Sequence, residues 1–232
     1  MLNISRHRVE LTQILLSIYK DSLLAGALGF KGGTAAYLFY NLPRFSTDLD
    51  FDLLSKREGL DERLTNLLGS HYQVRDHSVK RNTWFWLISY EKEATQIKIE
   101  ISTRKFPNTY ESRNFYGASI KVITIGDMIA HKLVSIQDRK KPANRDIFDA
   151  HYFLSSPWAT RINFGLIELR TGLNPKEFYR LLLAHLEKVS NKTILEGMGE
   201  VLSQSQKDWA KTLLLTELKE LVRLQMDSFP SK

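Results

Sequence analysis

The chain has 232 residues, of which 43% are hydrophobic, and 33 basic against 26 acidic side chains leave a formal charge of +7. That length suits one large domain, or a mixed domain with a helical extension, and the basic surplus favours polyanionic partners such as nucleotides, RNA or an acidic protein, although a merely solvated basic surface fits equally. With no cysteine, disulfide frameworks and thiolate-held metal centres are excluded, so any metal must sit on carboxylates or histidines.

The amino terminus, MLNISRHRVELTQILLSIYK, mixes charged and apolar residues too finely for a secretory signal. No apolar run approaches the ~18 residues that span a bilayer, so a cytoplasmic, non-membrane protein is expected. Ser5 is placed to cap a helix over residues 5–19, with Val9, Leu11, Ile14, Leu15 and Ile18 as its apolar stripe. Residues 28–31 read as a short buried strand, Gly32 and Gly33 as a tight turn, and residues 34–40 as a helix stopped before Pro43. From Thr47, Leu49, Phe51 and Leu53 alternate with Asp48, Asp50 and Asp52, giving a strand with one apolar and one acidic face.

A helix is expected over residues 61–68, then strands near 72–79, 83–90, 96–102 and 120–123. In residues 96–102, Ile97, Ile99 and Ile101 share one face and Lys98, Glu100 and Ser102 the other. Beyond Thr124 the pattern becomes helical, over 125–137, 144–154, 175–189 and one long stretch of 206–225. The expected class is therefore α+β: a mixed sheet with flanking helices over residues 1–123, followed by a helical region, 124–232, packed on it.

Two aspartates two residues apart on a strand project the same way, about 7 Å apart at the backbone, and can converge on one ion. Magnesium takes such oxygen ligands and keeps phosphate oxygens and waters in its other positions. Glu100 on a neighbouring strand faces the correct way to add a third carboxylate for a two-metal site, or else it pairs with Lys98 or another strand's cation. The chemistry pointed to is nucleotidyl transfer from a nucleoside triphosphate. Gly32, Gly33 and Thr34 would hold the triphosphate, because a turn without Cβ atoms followed by a helix start offers backbone N–H groups to anionic oxygens. The spacing matches neither a Walker loop nor a dinucleotide fingerprint.

Lys31-Gly32-Gly33-Thr34 followed by Pro43-Arg44-Phe45-Ser46-Thr47-Asp48-Leu49-Asp50-Phe51 resembles the signature of the AbiEii/AbiGii toxin group of nucleotidyltransferase-like proteins, within the DNA polymerase β superfamily. A second similarity lies at KLVSIQDRKKPANRDIFD, residues 132–149. The resemblance covers residues 30–154 and implies a nucleotidyltransferase fold, a metal-bound triphosphate and a place in toxin–antitoxin or phage-defence modules, with a possible cognate antitoxin as partner. It implies Gly32 and Gly33 as the phosphate turn, Asp48 and Asp50 as metal carboxylates, Lys132 as the matching lysine and Asp146 as the later acidic motif. Asp52 departs from the group's pattern and reads as a bystander or an outer charge.

Around these, Arg44 and Ser46 are expected near the nucleotide, Arg44 as a phosphate contact or a structural ion pair. Lys132 shares a helix face with Ser135 and Arg139, and is expected to serve the triphosphate or the acceptor hydroxyl rather than the fold. Arg145 and Asp149 are spaced to brace their helix, His131 reads as structural, and Trp84-Phe85-Trp86 as hairpin packing or a base-stacking surface. The basic residues Arg139, Lys140, Lys141 and Arg145 are candidates for RNA contact. The function expected is transfer of a nucleoside monophosphate to an RNA acceptor, such as a tRNA 3′ end. The alternatives are a protein or small-molecule acceptor, or a catalytically weak nucleotide- or RNA-binding module.

Overall fold

The computed structural model describes residues 2–91, 96–139 and 142–230. The chain divides into two units, Met1–Thr124 and Ile125–Lys232. The first is organised by strands whose alternate residues are apolar. β1 (Leu28–Lys31), β2 (Leu49–Leu53), β3 (Gln73–Val79), β4 (Thr83–Ser89), β5 (Gln96–Ser102), β6 (Tyr110–Phe115) and β7 (Ala118–Ile123) form one mixed sheet in the order β3-β4-β5-β2-β1-β7-β6. β2 is antiparallel to β1 and parallel to β5, while β1 is parallel to β7. Phe30 and Phe51, facing partners on β1 and β2, are fully buried with ring centroids 5.3 Å apart.

Helices α1 (Ile4–Lys20), α2 (Ser22–Ala27), α3 (Gly32–Phe39) and α4 (Leu60–Gly69) belong to the same unit. Asn3, not Ser5, caps α1, its side chain accepting the Arg6 N–H at 3.0 Å. Val9 is 52% exposed and lies off the buried stripe, which runs back instead from Leu15 and Leu11 to His7, four residues per step. Two elements of this unit escaped the sequence pattern. α2 is a short helix capped by Asp21, which accepts the N–H groups of Leu23 and Leu24 at 3.0 and 3.1 Å. β6 is a polar edge strand joined to β7 by Tyr116 and Gly117, both at positive φ, the two-residue turn that suits a tight hairpin.

The second unit is helical: α5 (Ile125–Asp138), α6 (Asn144–Ser155), α7 (Phe164–Thr171), α8 (Pro175–Leu186), α9 (Gln204–Thr212) and α10 (Leu214–Asp227). Its core is built from Ile129, Leu133, Phe153, Phe178, Leu182, Leu218 and Val222, all fully buried. The single long helix expected over 206–225 is two helices. Ser203 and Gln206 form a capping box that starts α9. At its end the Thr212 hydroxyl donates back to the Asp208 carbonyl at 3.0 Å, and Leu213, with φ widened to -116°, is the junction at which α10 begins. Among the described residues no helix is long and apolar enough to cross a membrane.

Candidate functional site

β1 runs directly into α3, and the junction is Gly32. Its φ of +80° is one that L side chains rarely adopt, and a Cβ there would stand 2.1 Å from Oδ2 of Asp50. The turn is therefore pressed against the carboxylate of the next strand. At Gly33 a Cβ would come within 2.8 Å of the Ser46 Oγ and 3.2 Å of the Arg44 guanidinium. Arg44 and Ser46 are both buried, and Arg44 donates to the Phe45 carbonyl at 3.1 Å, so these two residues pack the turn from within the loop. The N-cap residue of α3, Lys31, makes no side-chain capping bond.

Thr34 is 1% exposed, and its hydroxyl donates to the Asp48 carbonyl at 2.5 Å. Its side chain thus positions Asp48, and only its backbone remains for the phosphate role expected from sequence. A second support for that segment was not anticipated. His7, fully buried on α1, has Nε2 3.0 Å from the Thr47 carbonyl and Nδ1 3.0 Å from the Tyr90 hydroxyl. Burial holds its pKa below the usual value against the opposing pull of the Thr47 carbonyl and Asp48, so the ring is neutral, with Nε2–H donating to Thr47 and Tyr90 donating to Nδ1. The spacing of His7 to Leu11 and Leu15 marks its burial; nothing in the sequence marks its target.

The three aspartates differ. Asp52 is 4% exposed and meets Lys31 Nζ at 2.6 Å, Asn108 Nδ2 at 2.8 Å and the Tyr110 hydroxyl at 2.5 Å. Burial, then the Asp52 charge, push the Tyr110 pKa up, so that hydroxyl keeps its proton and donates it. Asp52 is thus a structural acid with protein partners on every side. Asp48, with 23% of its side chain exposed, faces Lys98 Nζ at 3.5 Å, and Lys98 also lies 3.3 Å from Glu100. The strand register sets Asp50 opposite Glu100 on β5 and opposite Lys31 on β1. Burial alone would lower the Lys98 pKa, but Asp48, Glu100 and Asp50 together raise it. An ammonium thus stands among the carboxylates, and Glu100 takes the second of its two expected readings, partner of Lys98.

Among the described residues no group of three or more histidines, aspartates or glutamates is gathered tightly enough to hold a metal ion. Lys98 Nζ lies within 3.5 Å of both Asp48 and Glu100. The donors are hard carboxylate oxygens flanked by backbone N–H groups, which fits a hard divalent ion taking the place of the ammonium.

In the second unit, Lys132 on α5 reaches Asp146 at 3.0 Å and Asp149 at 2.9 Å, both on α6. The Asp149 side chain is 0% exposed, that of Asp146 9% and that of Lys132 15%, so this lysine also ties two helices together, contrary to the expectation that it spares the fold. Asp149 turns to α5, and Arg145 makes no ion pair among the described residues, so the expected Arg145–Asp149 brace does not form. Arg139 is exposed and 3.7 Å from Asp146; Lys140 and Lys141 lie outside the described residues. His131 accepts from Arg170 at 2.6 Å, a structural role. Trp86 is fully buried, donates to Thr65 Oγ1 at 2.9 Å and stacks on His77, so it is hairpin packing.

The sheet presses a glycine turn against one of two alternating aspartates, with a glutamate paired across from it, and the comparisons with known proteins place the chain among nucleotidyltransferases. The family described as nucleotidyl transferase AbiEii toxin, type IV toxin–antitoxin system, matches residues 13–220, and the chain belongs to it. Two crystal structures share the fold. A candidate nucleotidyltransferase from H. pylori is similar at 21% identity and TM-score 0.67, over 98% of this chain and 96% of that one. JHP933 from Helicobacter pylori is similar at 20% identity and TM-score 0.67, over 98% and 94%. No curated protein matches the sequence. The protein is a nucleotidyltransferase of a toxin–antitoxin family, built on the mixed α+β fold of these structures.

Proposed function

We propose that this nucleotidyltransferase moves a nucleoside monophosphate from a triphosphate to an RNA acceptor, such as a tRNA 3′ end, and arrests growth by doing so in the cytoplasm until a cognate antitoxin counters it. One observation carries the reading: the register that sets Asp50 opposite both Lys31 and Glu100, with Gly32 held against the Asp50 carboxylate. Triphosphate turn and carboxylates thereby share one locus, and the +7 charge suits an RNA partner.

Asp48, Asp50 and Glu100 are the residues that would hold divalent ions, with Mg2+ in a two-metal arrangement as the ion best suited to carboxylate and phosphate oxygens. Bound there, it would acidify the acceptor hydroxyl and neutralise charge on the leaving pyrophosphate. The protein's own groups do the rest. The N–H groups of Gly32, Gly33 and Thr34 receive phosphate oxygens at the start of α3, while Arg44 and Ser46 keep that turn in shape. Thr34 and His7 hold the backbone that aims Asp48. Lys98 balances the acidic cluster when no other cation is present, and yields its place to one. For the second unit we infer functional roles for Lys132 and Asp146, and RNA contacts for Arg139, Lys140, Lys141 and Arg145.

The test is to incubate pure protein with each α-labelled triphosphate, magnesium and total RNA, then resolve what carries label. Labelled RNA, lost with chelator, is expected. Label on protein instead would replace the RNA acceptor, and labelling that survives excess chelator would remove the metal.

A further inference from the structure

At the other end of β2 from Asp48, about 20 Å along the strand at ~3.3 Å per residue, lies a cavity of about 860 Å³. Its charged lining comes from three separate segments: Lys56 and Arg57 after β2, Lys80 and Arg81 in the β3–β4 turn, and Lys105 after β5. All five are exposed, and none makes an ion pair among the described residues. Against them stand only Glu58 and Asp61, both on the α4 side. Five unneutralised cations around one concavity repel one another, and that repulsion is relieved by a bound anion.

Two further observations point to a ligand. Ser55 lines this cavity, and its Oγ is buried with no hydrogen-bond partner among the described residues, a polar group that a small shift of the segment would bring to a phosphate oxygen. The adjoining helix α4 starts at Gly59, which has no side chain to cap it. The cavity is too large for one phosphate, and its cations, spread over three segments, suit successive phosphates of a strand. Trp84, Leu54 and Val79 add apolar wall against which ribose and base can pack.

We propose that this cavity is a second nucleic-acid site, which holds the phosphate backbone of a single-stranded RNA segment away from the reacting end. The inference deepens the reading of an RNA acceptor and rests on it for the identity of the strand, but its test measures binding rather than transfer.

The probe is a 5′-labelled single-stranded RNA of about 20 nucleotides, long enough to cover the ~20 Å, titrated by fluorescence anisotropy across a salt series. Lys80→Ala/Arg81→Ala/Lys105→Ala should bind it at least about tenfold more weakly, and the log–log salt slope should flatten by about 2, near 0.7 per lost phosphate contact. Binding of a non-hydrolysable triphosphate should not change. The single Lys80→Glu variant, at an exposed position, should show the same direction if the triple variant misfolds. Unchanged RNA affinity and slope in a folded variant would overturn the site. Displacement of the RNA by polyglutamate at equal charge would overturn the assignment to nucleic acid in favour of an acidic protein. If the parent binds RNA through these residues yet labels none, the transfer reading fails and the cavity stands; if RNA is labelled and the folded variant binds it as tightly as the parent, the cavity fails and transfer stands.

Discussion

Each unit of this protein sets one lysine between two carboxylates, and the two sets are built differently. Lys98 sits 3.3 Å and 3.5 Å from Glu100 and Asp48, with roughly a quarter to a third of each side chain in solvent. Lys132 sits 3.0 Å and 2.9 Å from Asp146 and Asp149, nearly sealed from solvent. A buried pair gains from low dielectric and loses heavily when one partner goes, whereas a half-exposed one is worth little either way. Position in the fold, not residue type, decides which lysine stays open to solvent and which is committed to holding helices together.

The comparison breaks most visibly at Asp48 and Asp50. Asp48→Asn/Asp50→Asn should lower transfer by roughly a thousandfold or more, because amides bind hard ions poorly and several kcal/mol of charge stabilisation goes with the ion. Thermal unfolding of that variant should stay at or slightly above the parental midpoint, since clustered like charge is relieved. A midpoint well below the parent's would show that these acids hold the fold.

Lys132→Ala should do the opposite to stability. It removes the ammonium 2.9 Å from the fully buried Asp149 carboxylate, at a cost of about 3–5 kcal/mol in urea unfolding, while Lys98→Ala should cost less than about 1 kcal/mol. Equal costs for the two would erase the distinction drawn here.

A smaller effect separates Asp52 from its neighbours. Tyr110→Phe removes one hydrogen bond to a buried carboxylate and should cost about 1.5–3 kcal/mol, with transfer near the parental rate. If transfer falls in parallel with the Asp48 variant, Asp52 belongs with the reacting acids.

The smallest effect is in pH. His7 and His151 both have folded-state pKa values below 6.5, chiefly through burial. Their neutral forms are favoured by folding, so the stability they contribute is complete above pH 6.5 and declines as pH falls toward their folded pKa values. Melting points from pH 8 to 5 should fall, and His7→Asn should flatten that slope.

Much of the first unit was legible because period-two alternation in residues 49–53 and 96–102 states both the strand and its buried face. The glycine turn was legible for a similar local reason. What the sequence could not state was long-range pairing. Asp52 looks like Asp48 and Asp50 until Asn108 and Tyr110 arrive from more than 50 residues away. His7 aims at Thr47, and Lys132 reaches back from α5 to Asp149, through contacts that no helical period encodes. β6 hid for another reason, since Tyr-Glu-Ser-Arg-Asn-Phe at a sheet edge has no apolar face to alternate.

The contact between Gly32 and Asp50 also limits how this protein can change. A side chain at position 32 needs both a different backbone angle and the room that the Asp50 carboxylate now fills. On the role proposed for Asp50, a path to another residue at 32 that first shortens residue 50 passes through an intermediate without transfer, unless the strand moves. Two codons eighteen positions apart behave as one inherited character, so in a selection for suppressors of Gly32→Ala the compensating change should be sought at Asp50 and along β2, and should restore folding without restoring transfer.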